Sequence, residues 1–253
     1  MDVSSNTILI TGGASGIGLA LAERFLNAGS QVIICGRRED KLKEAQTKHP
    51  GLRIRACDVA KAAERVALLE WAKREFPALN VLVNNAGIQR RIELSSIVGA
   101  QPMSNDAWVQ TQEEIAINFE APIHLATLFV PHLLQQQRPA IMNVTSGLAF
   151  APLVAAPVYS ATKAALRSFT LSLRHQLAKT PIQMVEIIPP AVNTDLGGPG
   201  LHDFGVPLDE FADAVFERFK KGDLEIAYGY AEMASRASRE ELNAAFERMN
   251  GGG

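Results

Sequence analysis

A tyrosine and a lysine, Tyr159 and Lys163, stand four positions apart in the segment YSATK, with only small side chains between them. On a helix, positions i and i+4 share one face a turn apart, so the phenol and the ammonium would be neighbours. A phenol beside a positive charge can give or take a proton. The same spacing also fits two ordinary residues on a solvated helix, so the pair has to be weighed against the rest of the chain. Ser146 closes the apolar run AIMNVT, where its hydroxyl could face the same point or simply cap the following turn. Asn118 lies in the mostly apolar stretch EIAINFEAPIHLATLF, where a polar amide needs a reason.

These residues have to be positioned by the elements around them. Short β-branched runs at 7–10, 31–35, 52–57, 80–84, 140–145, 182–188 and 225–229 read as strands, apolar on both faces as parallel strands are. Helical patterns at about 16–28, 39–48, 60–76, 105–136, 157–179 and 208–221 alternate with them. Repeated β–α alternation predicts a doubly wound parallel α/β sheet. No linker or repeat divides the 253 residues, so one domain spanning 1–253 is expected. A Gly/Pro-rich stretch, 195–207, interrupts the pattern, and the closing residues, about 249–253, read as a flexible tail.

The first strand runs into TGGASGIG, with glycines at Gly12, Gly16 and Gly18, and then into a helix. Such a turn lets backbone approach a pyrophosphate, while the helix N-terminus offers free N–H groups to it. A methyltransferase binding S-adenosylmethionine would share this turn. After the second strand, the acid that usually holds the ribose hydroxyls of NAD is replaced by Gly36, followed by Arg37 and Arg38. A guanidinium there can clamp a 2′-phosphate, which favours NADP(H) over NAD(H), Arg37 being the first choice. Asp58 follows the third strand, where it could reach an adenine amino group or cap the helix starting near Lys61.

TGGASGIG, NNAG at 84–87, Asn118 in INFE, Ser146 in NVTSG, and YSATK occur together and in order. The chain thereby resembles the short-chain dehydrogenase/reductases over nearly its whole length, and its PPAVNTDL segment resembles the DltE-like oxidoreductase branch. The resemblance implies a single Rossmann domain with seven parallel strands ordered 3-2-1-4-5-6-7. It implies an NADP(H)-dependent oxidoreductase acting on a small carbonyl/alcohol substrate. Tyr159 would be the general acid/base, and Ser146 would hold the substrate oxygen. Lys163 would lower the tyrosine pKa and bind the nicotinamide ribose, and Asn118 would hold a proton-relay water. Bringing a phenol from its ordinary pKa near 10 down by roughly 2–3 units takes about 3–4 kcal/mol of phenolate stabilisation, expected from Lys163 and an oxidised nicotinamide. By the same resemblance the cofactor would meet Gly12, Ser15, Gly16, Ile17, Gly18, Arg37, Arg38, Asp58, Val59, Asn85, Ala86, Gly87, Tyr159, Lys163, Pro189, Val192 and Thr194. A homodimer or homotetramer is implied as well. A binder that keeps the site without turnover is the alternative reading.

The sequence departs from the family pattern at Pro190, which stands where the family usually has glycine. Proline removes one backbone donor near the nicotinamide and stiffens the wall. The segment at about 195–210 is expected to carry substrate specificity. Arg90 and Arg91, in QRRIE (89–93), could meet an acidic substrate or simply be solvated. Glu113–Glu114 reads as a solvated helix face, and His124, His132, His175 and His202 read as structural or exposed. Lys plus Arg total 25 against 27 acidic residues, a balance that gives no basic field for nucleic acid or membrane. The opening residues show no signal-peptide pattern, no apolar run approaches the ~20 residues of a membrane span, and a cytoplasmic protein is expected. Cys35 and Cys57 are too few for a disulfide framework or zinc site, and no metal ligation pattern occurs.

Overall fold

The computed structural model describes residues 3–92 and 103–251; Glu93 of the QRRIE stretch and Gly252–Gly253 of the expected tail lie outside them. The strands are β1 (Thr7–Thr11), β2 (Gln31–Gly36), β3 (Arg53–Ala56), β4 (Val81–Asn84), β5 (Ala140–Val144), β6 (Gln183–Ile188) and β7 (Glu225–Ala227). All six pairings are parallel, in the order β3-β2-β1-β4-β5-β6-β7. The order reverses between β1 and β4, and in open α/β sheets the crevice beyond the strand ends at that point is where ligands bind.

Alternation along the strands sorts side chains into two cores. Ile8 and Ile10 face one layer together with Leu21, Phe25, Phe211 and Phe219. Leu9 faces the other, with Leu68, Leu125, Phe129 and Leu173. The first layer is built from α1 (Gly16–Asn27), α2 (Glu39–Lys48) and α7 (Leu208–Lys221). The second comes from α3 (Ala62–Glu75), α5 (Ala121–Leu133) and α6 (Pro157–Gln176). Phe25 stacks edge-on against Phe216, with ring centres 5.2 Å apart, and so locks α1 to α7. The edge strand β3 departs from the expected apolar pattern: Arg53, Arg55 and Ala56 are exposed, because no further strand covers that side.

Two further departures matter for the site. The helix expected over 105–136 is α4 (Asn105–Ile115) followed by a π-helical turn (Ala116–Glu120) and then α5, and Asn118 sits in the π turn. The C-terminal region holds α8 (Tyr230–Arg236) and α9 (Arg239–Asn250), neither of which was expected. Ser238 caps α9 through a reciprocal pair with Glu241. Met249 and Asn250 therefore end a helix rather than begin a tail: Asn250 accepts from the Val154 N–H at 2.9 Å and donates to the Pro152 carbonyl at 3.0 Å. Likewise Leu208–Glu210 belong to α7, so the loop expected to run to about 210 ends before it. Among the described residues no helix is long and apolar enough to cross a membrane, and no group of metal-ligating side chains gathers.

Candidate active site

The glycine turn sits at the end of β1, directly over the switch point. Gly12 has φ +64°, and a Cβ there would lie 2.8 Å from Ala86 Cα, so only glycine fits. A Cβ on Gly18 would lie 2.5 Å from the Gly12 carbonyl oxygen. That third glycine is thus a packing glycine that brings α1 down onto the turn. Asn85 fastens the turn from the other side, its Nδ2 donating to the carbonyls of Thr11 at 2.9 Å and Gly12 at 3.1 Å. Ser15 heads α1 without a side-chain capping bond, which leaves the first-turn N–H groups for an anion.

A cavity of about 1560 Å³ extends from this turn along the sheet edge, larger than a single small ligand needs. Gly12, Ser15, Gly16, Ile17, Arg37, Arg38, Val59, Asn85, Ala86, Gly87, Ser146, Tyr159, Lys163, Pro189, Val192 and Thr194 all line it. Gly18, Asp58 and Asn118 do not. The Asp58 carboxylate accepts from the Ala60 N–H at 3.1 Å within its own turn, and Lys61 takes the N-cap position of α3. A Cβ at Gly36 would meet no atom within 4 Å, so the place of the usual acid is roomy. The two arginines beyond it diverge. Arg38 Nη2 donates to Ser15 Oγ at 3.3 Å, on the glycine turn. Arg37 pairs instead with Glu113, which also pairs with Arg90. The residues thus fit a dinucleotide, with Arg38 nearest the phosphate turn.

At the other end, α6 carries Tyr159 and Lys163 on one face, both buried, with the ammonium 5.6 Å from the phenol ring centre. Lys163 Nζ donates to the Val144 carbonyl at 2.8 Å, at the end of β5 and beside Ser146. Burial pushes Tyr159 up to about 12; a hydrogen bond with Ser146 pulls it back, and the charge of Glu114 pushes it further up. Burial also pushes Lys163 down to about 8. With the chain's own groups alone, desolvating phenolate and ammonium outweighs what those groups return; the lowering expected of Tyr159 counts an oxidised nicotinamide as well. Asn118, fully buried in the π turn, accepts from the Ile88 N–H at 2.9 Å and donates to its carbonyl at 2.8 Å. Its amide therefore pins the loop after β4 beside Lys163.

Glu113 and Glu114 do not form a solvated face. Glu113 bridges Arg37 and Arg90, and Glu114 is fully buried with Oε1 accepting from the Arg90 N–H at 3.3 Å and Oε2 without a partner among the described residues. Burial raises the Glu114 pKa against the Arg90 hydrogen bond and charge. A carboxyl whose folded pKa is raised contributes its full stability below the unfolded value and loses it as pH rises through the folded one. Glu114→Gln keeps the acceptor and cannot ionise. The stability gap between variant and wild type should therefore move in the variant's favour between pH 5 and 8 in urea unfolding. A gap that stays constant over that range would mean that burial does not raise the Glu114 pKa.

The loop after β6 is hinged rather than loose. Val192 bridges Val206, with Asn193 N–H donating to the Val206 carbonyl and Val206 N–H to the Ala191 carbonyl, both at 2.9 Å. Pro189 and Pro190 line the cavity, and the Pro189 carbonyl accepts from the Gly147 N–H at 2.9 Å. Sequence reasoning missed Leu148, Leu153, Tyr230, Arg248 and Met249, which complete this end of the cavity, and it read His202, also on the wall, as structural or exposed.

Residues 6–202 match the family model described as short chain dehydrogenase. An uncharacterised oxidoreductase of Bacillus subtilis (strain 168), DltE, is 46% identical over 99% of this chain and 98% of its own length. Among solved structures, a short-chain dehydrogenase from Burkholderia cenocepacia J2315 in complex with NADP superposes with a TM-score of 0.81 at 24% identity, covering 97% of this chain and 99% of that one. One from Burkholderia phymatum in complex with NAD superposes with a TM-score of 0.81 at 20% identity, covering 97% and 96%.

Proposed function

The chain belongs to the short-chain dehydrogenase family as a DltE-like oxidoreductase, and on that footing we propose that it uses NADP(H) to interconvert a carbonyl and an alcohol. The observation that carries the reading is the meeting of Tyr159, Ser146 and Lys163 on the wall of one cavity with the glycine turn. NADPH, when bound, supplies a hydride to the carbonyl carbon. Tyr159 gives the oxygen its proton, and Ser146 orients that oxygen and steadies its developing charge. Lys163, buried beside the phenol, would hold positive charge against the phenolate and bind the nicotinamide ribose. Asn118 fixes the Ile88 loop and would hold the relay water on its main chain, since its amide is engaged with Ile88 and Thr162. As a fold with exposed Trp108 and Val109 on α4 and Leu171 on α6, the protein would cover these apolar groups in a homodimer or homotetramer.

NADP(H) is favoured over NAD(H) by the roomy Gly36 position and by Arg38 beside Ser15. One charge-assisted contact to a 2′-phosphate is worth about 1.5–3 kcal/mol. NADPH should therefore raise the unfolding temperature more than NADH does, and Arg38→Ala should weaken NADPH binding by about 10- to 100-fold. Equal stabilisation by the two cofactors in the wild type would remove the NADP(H) preference. Turnover is tested by NADPH consumption over a panel of aldehydes, ketones, quinones and sugars. Consumption with any member supports the oxidoreductase reading; tight NADPH binding with no consumption on any of them favours a binder without turnover.

A further inference from the structure

Three arginines come near the substrate end of the cavity, and they are not equivalent. Arg90 is committed to Gln110 and Glu113 on α4, and its N–H to Glu114. Arg91 is exposed, lines the cavity, and has no hydrogen-bond or ion-pair partner among the described residues. The backbone beneath it is nevertheless held on both sides, since the next residue, Ile92, donates its N–H to the Ala155 carbonyl at 3.1 Å. Arg248 of α9 lines the same end, also without an ion-pair partner among the described residues.

The loop after β6 closes against this segment. A Cβ at Gly197 would lie 3.1 Å from the Gln89 carbonyl oxygen, which is how closely the two backbones pack. That loop brings in His202, whose Nδ1 is buried and has no hydrogen-bond partner among the described residues. Burial is the chief cause that holds the imidazole pKa below its ordinary value, and the charge of Arg91 adds to it. Arg91 and His202 line the same cavity. Among the described residues, Asp195 is the one acidic side chain on this part of the wall. Phe204, 81% exposed, and Leu153 and Met249 give the rest of the wall an apolar character.

We infer that this end of the cleft takes a carbonyl compound carrying an oxyanion, bound by Arg91 beside His202, with its apolar body against Phe204 and Leu153. The inference rests on the oxidoreductase reading above and names its substrate class. A lone exposed arginine is ordinarily just solvated. What sets Arg91 apart is a fixed backbone, a position in the cavity, and, on the same cavity wall, a buried nitrogen without a partner among the described residues. The desolvated nitrogen calls for a polar ligand atom, and the unpaired guanidinium calls for a negative one, which it can hold bidentately.

The test compares 4-carboxybenzaldehyde with its methyl ester, and glyceraldehyde 3-phosphate with glyceraldehyde, using wild type and Arg91→Ala under saturating NADPH. Wild type should favour the anionic member of at least one pair by about 10- to 100-fold in kcat/KM, and Arg91→Ala should lower that ratio by a similar factor, mainly through KM. The two pairs tell a carboxylate from a phosphate. Ratios near one in the wild type, with the neutral members reduced, overturn the inference and leave carbonyl reduction standing. If no member of either pair is reduced, titration of terephthalate and of inorganic phosphate into the NADPH complex decides. Binding that is lost in Arg91→Ala upholds the anion site whatever becomes of the catalytic reading; no binding, or binding unchanged in the variant, overturns it.

Discussion

Tyr159→Phe should lose carbonyl reduction by roughly a hundred- to ten-thousand-fold, the usual contribution of a positioned general acid, while still binding NADPH. The substitution removes one hydroxyl and keeps the ring, which is buried on α6 with Lys163 Nζ 5.6 Å from its centre. Stability should therefore change little beyond the lost contact with Ser146. The pH dependence carries a second signature. Burial holds Tyr159 near 12 and Lys163 near 8 with the chain's own groups alone. In the reductive direction the phenol keeps its proton across the whole physiological range, so kcat should be nearly flat below about pH 8. In the oxidative direction the phenolate is required, and the rate should climb as pH rises. Lowering the phenol further needs positive charge beside it, from the Lys163 ammonium or an oxidised nicotinamide. Phe variants that retain turnover with the wild-type pH profile would take the proton-donor role away from Tyr159.

The sheet was readable because its signals are local. Ile8, Leu9 and Ile10 announce a doubly covered strand within three residues, and the glycine turn follows immediately. The same holds for the cavity wall, since Gly12, Ser146 and Thr194 each follow a strand and the parallel order brings strand ends to one edge. What stayed hidden depends on distant partners. Nothing near Arg37 in the chain reveals that it turns to Glu113, 76 positions away, while Arg38 turns to Ser15. Glu113 and Glu114 look alike in sequence, and only the packing of α4 buries one completely. The π turn at Ala116–Glu120 has no composition of its own, because widening one turn changes hydrogen bonding rather than residue preference. The Tyr–Lys spacing is visible in sequence, whereas the depth of burial that opposes a lowered Tyr159 pKa is not. The C-terminal helices are a different case. Ser238 to Glu241 is a legible capping-box pattern, and it marks the helix that brings Arg248 and Met249 to the cavity.

One turn beyond Lys163, Arg167 ties the site to the stability of the fold. Its Nη1 donates to Glu186 Oε2 at 2.6 Å, and Thr145 Oγ1 donates to the other oxygen of that carboxylate at 2.8 Å. Glu186 is fully buried in β6, and Thr145 immediately precedes Ser146, so the pair clamps α6, β6 and the strand end that carries the serine. The Arg167 guanidinium also lies 4.4 Å from the Phe150 ring centre, over the turn that follows Ser146. Breaking a buried pair by removing one partner strands the other charge and costs about 3–5 kcal/mol. Arg167→Met should destabilise the protein by about that amount at pH 7.5, measured by urea unfolding. Burial already raises the Glu186 pKa, with Arg167 the chief opposing influence. Losing Arg167 raises it further. By the sign of linkage, stability is then kept at low pH and lost as pH rises, so the deficit should be smaller at pH 5 than at pH 8. Arg167→Met combined with Glu186→Gln removes the stranded charge and should regain most of the loss. If the single variant costs less than about 1 kcal/mol, in the range of an exposed pair, or if the double variant is no better than the single, then Glu186 is not held by this ion pair. The positioning of Ser146 would then have to be credited to the β5–β6 ladder and the Gly147 to Pro189 backbone bond alone.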